Sequence, residues 1–166
     1  MSKGLALVTG ADGGMGSVHT RTLAQAGYEV IRACYDAEIA RPTYEKIKNE
    51  TNATLHLMQV DLGNLQDIVR FADEVKSKFS SLQILLNNAG VLSYRSKKSA
   101  NGCEYTAAVN YLGHYTLTHL LLPIMGQGTR VVSMVSIAYA LGKIKEAFDN
   151  NPGLTNLLLD PYFKDI

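Results

Sequence analysis

The run Thr9-Gly10-Ala11-Asp12-Gly13-Gly14-Met15-Gly16 follows directly on the apolar stretch Leu5-Ala6-Leu7-Val8. Glycines at 10, 14 and 16 strip side chains from a turn that leaves a buried strand and opens a helix. The chemistry this suits is anion capture. A pyrophosphate must come close to main-chain N–H groups, and a helix N-terminus offers free donors and the positive end of its dipole. A glycine turn can also be purely structural. Context favours a dinucleotide, because Asp36 follows Gly16 by 20 positions, at the end of a second strand candidate, where a carboxylate can take a ribose hydroxyl.

Those residues need a scaffold, and the chain alternates short apolar runs with longer helical patterns. Strands are expected at residues 4–9, 28–34, 54–60, 82–87 and 130–136, and helices at 14–26, 37–50, 65–79 and 101–125. Leu65, Ile68, Val69, Ala72 and Val75 keep one helical face. Strands this uniformly apolar suit a parallel sheet covered on both sides. The fold expected is therefore α/β: a Rossmann-type doubly wound parallel sheet of about five strands, with order 3-2-1-4-5 taken from the dinucleotide-fold pattern. Arg32 is unusual inside a strand, and marks either a sheet edge or a reach towards a phosphate.

Composition narrows the partners. With 166 residues, 46% hydrophobic and 19% charged, the chain suits one globular domain, ending in an irregular tail over 146–166. A formal net charge of +1 gives no reason to expect nucleic acid, and Lys97-Lys98 reads as a solvated loop. Cys34 and Cys103 show no metal-ligand spacing and read as buried free thiols, so no metal is expected. No apolar run approaches membrane-spanning length and no signal-peptide core is visible, so a cytoplasmic location is expected.

Further residues bring a family into view. Asp61-Leu62 ends the third strand, Asn87-Asn88-Ala89-Gly90 the fourth and Ser136 the fifth, while Asn110 lies in the long helix. Together with the Thr9–Gly16 turn, this ordered set resembles the short-chain dehydrogenase/reductase family over residues 4–145. Val109-Asn110-Tyr111-Leu112-Gly113-His114, Leu120-Leu121-Leu122-Pro123 and Leu141-Gly142-Lys143-Ile144 resemble its retinol-dehydrogenase-like branch.

The resemblance implies an NAD- or NADP-dependent oxidoreductase acting on a small-molecule alcohol or carbonyl. It implies that Gly10, Asp12, Gly13, Met15 and Gly16 line the adenosine phosphates and ribose, that Tyr35 and Asp36 stand at the 2′ position, and that Asp61 and Leu62 flank the adenine. Asn88, Ala89 and Gly90 would pass beside the cofactor's midsection. Ser136 would orient a substrate carbonyl, and Asn110 would hold a water in a proton relay. Residue chemistry alone gives plainer readings: Asn88 as an amide tying strand ends together, Ser136 as a turn hydroxyl, and Asn110 as a partner for a neighbouring carbonyl.

The pattern also breaks. The family's chemistry needs a tyrosine acid/base with a lysine four residues on, since a tyrosine's ordinary pKa of about 10 must be lowered by a nearby cation. The literal match, Tyr139 and Lys143, comes too soon after Ser136 and has Gly142 inside it; Tyr162 is followed four residues on by Ile166 and preceded by Pro161. Neither fits, and nothing after Ser136 reads as a sixth strand. A chain truncated relative to the family fold is expected, with β-edge and apolar surface uncovered at the fifth strand. Homo-oligomerisation through the long helix would then be weakened.

Cofactor choice is divided. Tyr35 stands where the branch carries an arginine for the NADP 2′-phosphate, Gly13 fills another site for a basic residue, and Asp36 falls after the usual NAD-selecting position, held by Cys34. The balance leans to NAD. Beside an oxidoreductase represented by an incomplete chain stand two other readings, a non-catalytic dinucleotide-binding module and a decayed product that does not fold stably.

Overall fold

A computed structural model describes residues 2–93 and 97–136. Its centre is a five-stranded sheet of order β3-β2-β1-β4-β5, every neighbouring pair parallel. The strands are β1 (Leu5–Thr9), β2 (Glu29–Cys34), β3 (Leu55–Gln59), β4 (Leu82–Asn87) and β5 (Met125–Ser133). Helices α1 (Gly14–Gln25), α2 (Ala37–Thr51) and α3 (Leu65–Lys78) alternate with the first four strands. This is the expected doubly wound order. β1 is buried along its whole length, so its Leu-Ala-Leu-Val run serves both faces of the sheet at once.

The pleat sorts those side chains into two cores. Leu5, Leu7, Ile31 and Ala33 pack with Ile68, Phe71 and Leu117 on one face. Ala6, Val8, Val30 and Cys34 pack with Ala24 and Ile47 on the other. Arg32 lies among the fully buried residues. Since β2 pairs with both β1 and β3, the edge reading of Arg32 is wrong: a strand reveals its composition in sequence, but its neighbours only in space.

Local chemistry fixes the helix starts. Asp36 Oδ1 accepts from Glu38 N and Ile39 N at 2.9 and 3.1 Å, and Asn64 Oδ1 accepts from Gln66 N and Asp67 N at 3.1 and 3.4 Å. Both satisfy donors that a first helical turn leaves unpaired. Asn64→Ala is expected to cost about 1 kcal/mol, read as a lower urea midpoint at unchanged slope; no shift would show that water serves those N–H groups equally well.

The fourth helical region differs from the single helix expected over 101–125. A turn with Gly102 at φ +80° precedes it, and Glu104 caps α4 (Tyr105–Ala107) by accepting from Thr106 N and Ala107 N at 2.9 and 2.7 Å. A π-helical segment, Ala108–Gly113, leads into α5 (His114–Leu121) and a 3-10 turn, Leu122–Ile124. β5 begins at Met125 rather than 130, with Gly128 at φ +90° and a register break against Leu82 and Ile84. The strand also stops at Ser133, so Ser136 lies beyond it. Among the described residues β5 pairs only with β4, and Val131 and Val132 are exposed. No helix among those residues is long and apolar enough to cross a membrane.

Candidate functional site

The strands β1 to β4 all end at the same side of the sheet, and a cleft of about 440 Å³ opens there. That is a size typical of small-molecule sites, at the place where open α/β sheets bind ligands. Gly10, Asp12, Gly13, Met15 and Gly16 reach it from the first turn. Tyr35 comes from the end of β2, Asp61 and Leu62 from the end of β3, and Asn88, Ala89 and Gly90 from the end of β4. Eleven of the fourteen expected site residues thus meet around one cavity.

The turn is built so that α1 presents its N-terminus. Gly10 has φ +59°, and a Cβ there would stand 2.7 Å from Ala89 Cα. A Cβ on Gly16 would overlap the Gly10 carbonyl oxygen and stand 2.7 Å from Ala11 Cα. Gly10 and Gly16 are therefore needed for the chain to cross itself, whereas a Cβ on Gly14 would meet nothing within 4 Å and Gly14 does not line the cleft. The expectation that all three glycines clear a path for phosphate gives way to a packing reason for two of them. Unlike α2, α3 and α4, α1 has no side-chain cap, which leaves its first N–H groups available to an anion.

Asn88 is a tie and a wall together. Its Nδ2 donates to Thr9 O at 2.8 Å and Gly10 O at 3.3 Å, while its Oδ1 is buried with no partner among the described residues. Asp61 Oδ1 accepts from Gly63 N at 2.8 Å. Tyr105 and Val109, not anticipated from sequence, also line the cleft. The Tyr105 hydroxyl is pushed up, first by burial and then by the Asp61 charge. Lys97 is exposed, as expected of a solvated loop, and its Nζ also stands 3.7 Å from the Tyr105 ring centroid, within cation–π range.

Arg32 lies below the turn. Its Nη2 donates to Ala11 O at 2.5 Å, and its Nε and Nη1 have no partner among the described residues. Burial lowers the guanidinium's pKa, opposed in part by the Asp12 carboxylate. The Cys34 thiol is raised to about 12 by burial, then by the Asp12 carboxylate, which keeps it an inert buried thiol.

Three expected residues stand outside the lining. Asp36 is occupied in capping α2. Asn110 clamps Val91: Nδ2 donates to Val91 O at 2.9 Å and Oδ1 accepts from Val91 N at 2.8 Å, the plainer of its two readings. Ser136 is solvent-exposed and does not reach the cleft. Tyr139, Lys143 and Tyr162 lie outside the described residues.

A family model described as short chain dehydrogenase matches residues 4–147. Retinol dehydrogenase 12 of Bos taurus is 38% identical over 142 residues, covering 84% of this chain and 45% of that protein. Human polyprenol dehydrogenase is 34% identical over 147 residues, covering 84% and 44%. Among solved structures, a putative uncharacterized protein from Mycobacterium paratuberculosis aligns with TM-score 0.73 and 33% identity, covering 86% of this chain and 50% of that one. A metagenomic short-chain oxidoreductase in complex with NADP aligns with TM-score 0.66 and 27% identity, covering 74% and 57%. The chain thus spans about half the length of the curated relatives it matches.

Proposed function

Because the chain belongs to the short-chain dehydrogenase family, we propose that it is the dinucleotide-holding part of an NAD(P)-dependent oxidoreductase acting on a small-molecule alcohol or carbonyl. The observation that carries this reading is the cleft at the β1–β4 ends, bordered by the glycine turn, an uncapped helix N-terminus and Asn88. The donor set fits a nicotinamide dinucleotide, which when bound supplies the hydride donor or acceptor.

The chain's own residues divide the work of holding it. The backbone of Met15, in the uncapped first turn of α1, donates to the pyrophosphate, with Gly10, Gly13 and Gly16 shaping the turn around it. Asp12 and Tyr35 meet the adenosine ribose, with Asp36 beside them, and Asp61 and Leu62 border the adenine. Asn88, Ala89 and Gly90 hold the midsection. Asn110 acts through Val91, and Ser136 is assigned to the substrate carbonyl.

A second reading, a dinucleotide-binding module without turnover of its own, is favoured by the exposed position of Ser136. Both readings require binding, so calorimetry with NADH and NADPH is the first test, and no heat with either would defeat both. Neither cofactor is expected to be strongly preferred. Tyr35 offers no cation to a 2′-phosphate, and such a charge-assisted contact is worth about 1.5–3 kcal/mol. An NADPH preference above about a hundredfold, or about 2.7 kcal/mol, would point to a cation this reading leaves out.

A further inference from the structure

His114, at the start of α5, is 7% exposed and sits between two groups whose hydrogen-bonding roles are fixed. Its Nδ1 lies 3.2 Å from Asn110 O, and a carbonyl can only accept, so Nδ1 carries a proton. Its Nε2 lies 2.9 Å from Thr9 Oγ1. Thr9 Oγ1 already accepts from Asn88 N at 2.9 Å and Ala89 N at 3.0 Å, which fills both lone pairs of a hydroxyl. Its single proton then goes to Nε2 at 2.9 Å in preference to Leu86 O at 3.4 Å. Every group in the chain of bonds is satisfied only if His114 is neutral with its proton on Nδ1.

That chain runs from one wall of the cleft to another. At one end are the Asn88 and Ala89 amides; at the other is Asn110, whose side chain holds Val91 by both its N–H and its carbonyl. Gly113 lets this helix close on the site, since a Cβ there would overlap the Leu62 carbonyl oxygen. We propose that His114 is a positioning residue, whose neutral Nδ1–H form ties the backbone at Asn88–Ala89 to the Asn110–Val91 clamp and so sets the shape of the dinucleotide cleft.

Protonation of the ring would aim a second N–H at an oxygen with no free lone pair, so Thr9 would have to release Asn88 or Ala89. Burial holds the His114 pKa below its ordinary 6.5, the Asn110 carbonyl opposing it. Among the described residues no charge contributes: the ring meets Thr9 from β1 and Asn110 from its own helical region. Because the folded pKa is lowered, this contribution to stability is present above about pH 6.5 and is lost as pH falls through the folded value.

The test is nitrogen-15 NMR of the full chain, titrated from about pH 8 to pH 5, with an NADH-affinity arm that rests on the proposed function. His114 should show the Nδ1–H tautomer at neutral pH. The amides of Asn88, Ala89 and Val91 and the Asn110 side chain should move with the His114 midpoint. His114→Gln, which keeps an acceptor for Thr9 but does not titrate, should leave those signals flat with pH. An Nε2–H tautomer in the wild type, or Asn88, Ala89 and Val91 signals indifferent to the His114 titration, would overturn the proposal without any variant. NADH affinity should weaken by about tenfold or more below the midpoint, a coupling of about one pK unit, and stay level in His114→Gln. A wild-type affinity unchanged across the midpoint would also overturn it. No NADH binding at any pH would defeat the proposed function alone, and the NMR arm would still decide the role of His114.

Discussion

Replacing Gly16 with valine is expected to destabilise the protein by about 3 kcal/mol or more, and to abolish dinucleotide binding as a consequence. The new Cβ would overlap the Gly10 carbonyl oxygen and press on Ala11 Cα, both backbone atoms of the same turn, so no side-chain rotation relieves the clash. Gly16 itself is buried at the start of α1, and branching at Cβ adds volume where the core has none. Gly90→Val is the matching control. Gly90 also lines the cleft, but a Cβ there would meet nothing within 4 Å, so the fold should survive while NADH affinity falls. Urea unfolding and calorimetry on the two variants separate the cases. Unchanged stability in Gly16→Val would mean that the turn is held far more loosely than its backbone crossing indicates.

The contrast between those two glycines also shows how much of the site was legible in sequence. The spacing of Gly10 and Gly16 between a strand and a helix placed the turn, and the motifs at Asp61 and Asn88 placed two further walls. Their convergence followed from a parallel sheet, which puts all its C-terminal strand ends on one side. Which glycine serves packing and which faces open space depends on where the chain crosses itself, and no spacing rule carries that. Strand β1 was readable because continuous burial leaves an unbroken apolar run, and β4 because only Gln83 interrupts its apolar run before Asn87. The segment from Tyr105 to Leu121 was not, because hydrophobic periodicity does not distinguish an α-helix from one interrupted by a π segment, and the cap at Glu104 lies inside the expected span.

His114 and Arg32 illustrate a second limit. A histidine or an arginine inside an apolar pattern signals only that a polar group is being buried, and the partner that makes the burial tolerable comes from another element. For His114 the partner is Thr9, on β1. The Asn110 side chain likewise found Val91 rather than open space in the cleft. Lys97 is exposed, as read, but nothing in its neighbourhood of sequence announces the Tyr105 ring. In each case sequence supplied the chemistry of the group and the fold supplied its counterpart.

Arg32→Met is expected to raise stability, by about 1–3 kcal/mol, because a buried cation with incomplete hydrogen bonding costs more than an apolar side chain of similar length. Arg32 is fully buried, with Nε and Nη1 unpartnered among the described residues, and its hydrogen bond to Ala11 O is not indispensable to that carbonyl. Ser17 Oγ also donates to Ala11 O, at 3.3 Å. The neighbours around β2 are apolar: Val8, Val30, Ile47 and Leu55 belong to the same core. At about 2–4 °C per kcal/mol for a chain of this size, the melting temperature should rise by several degrees. Binding should move the other way. The guanidinium sits under the glycine turn and interacts with Asp12, so its loss leaves the Asp12 carboxylate less compensated where the dinucleotide's anionic groups approach. A several-fold weaker affinity for NADH, more marked at low salt, is the expected companion of the higher melting temperature. A variant that is less stable than the parent would show that Arg32 holds the turn in place, and that its hydrogen bond to Ala11 outweighs the cost of burying its charge.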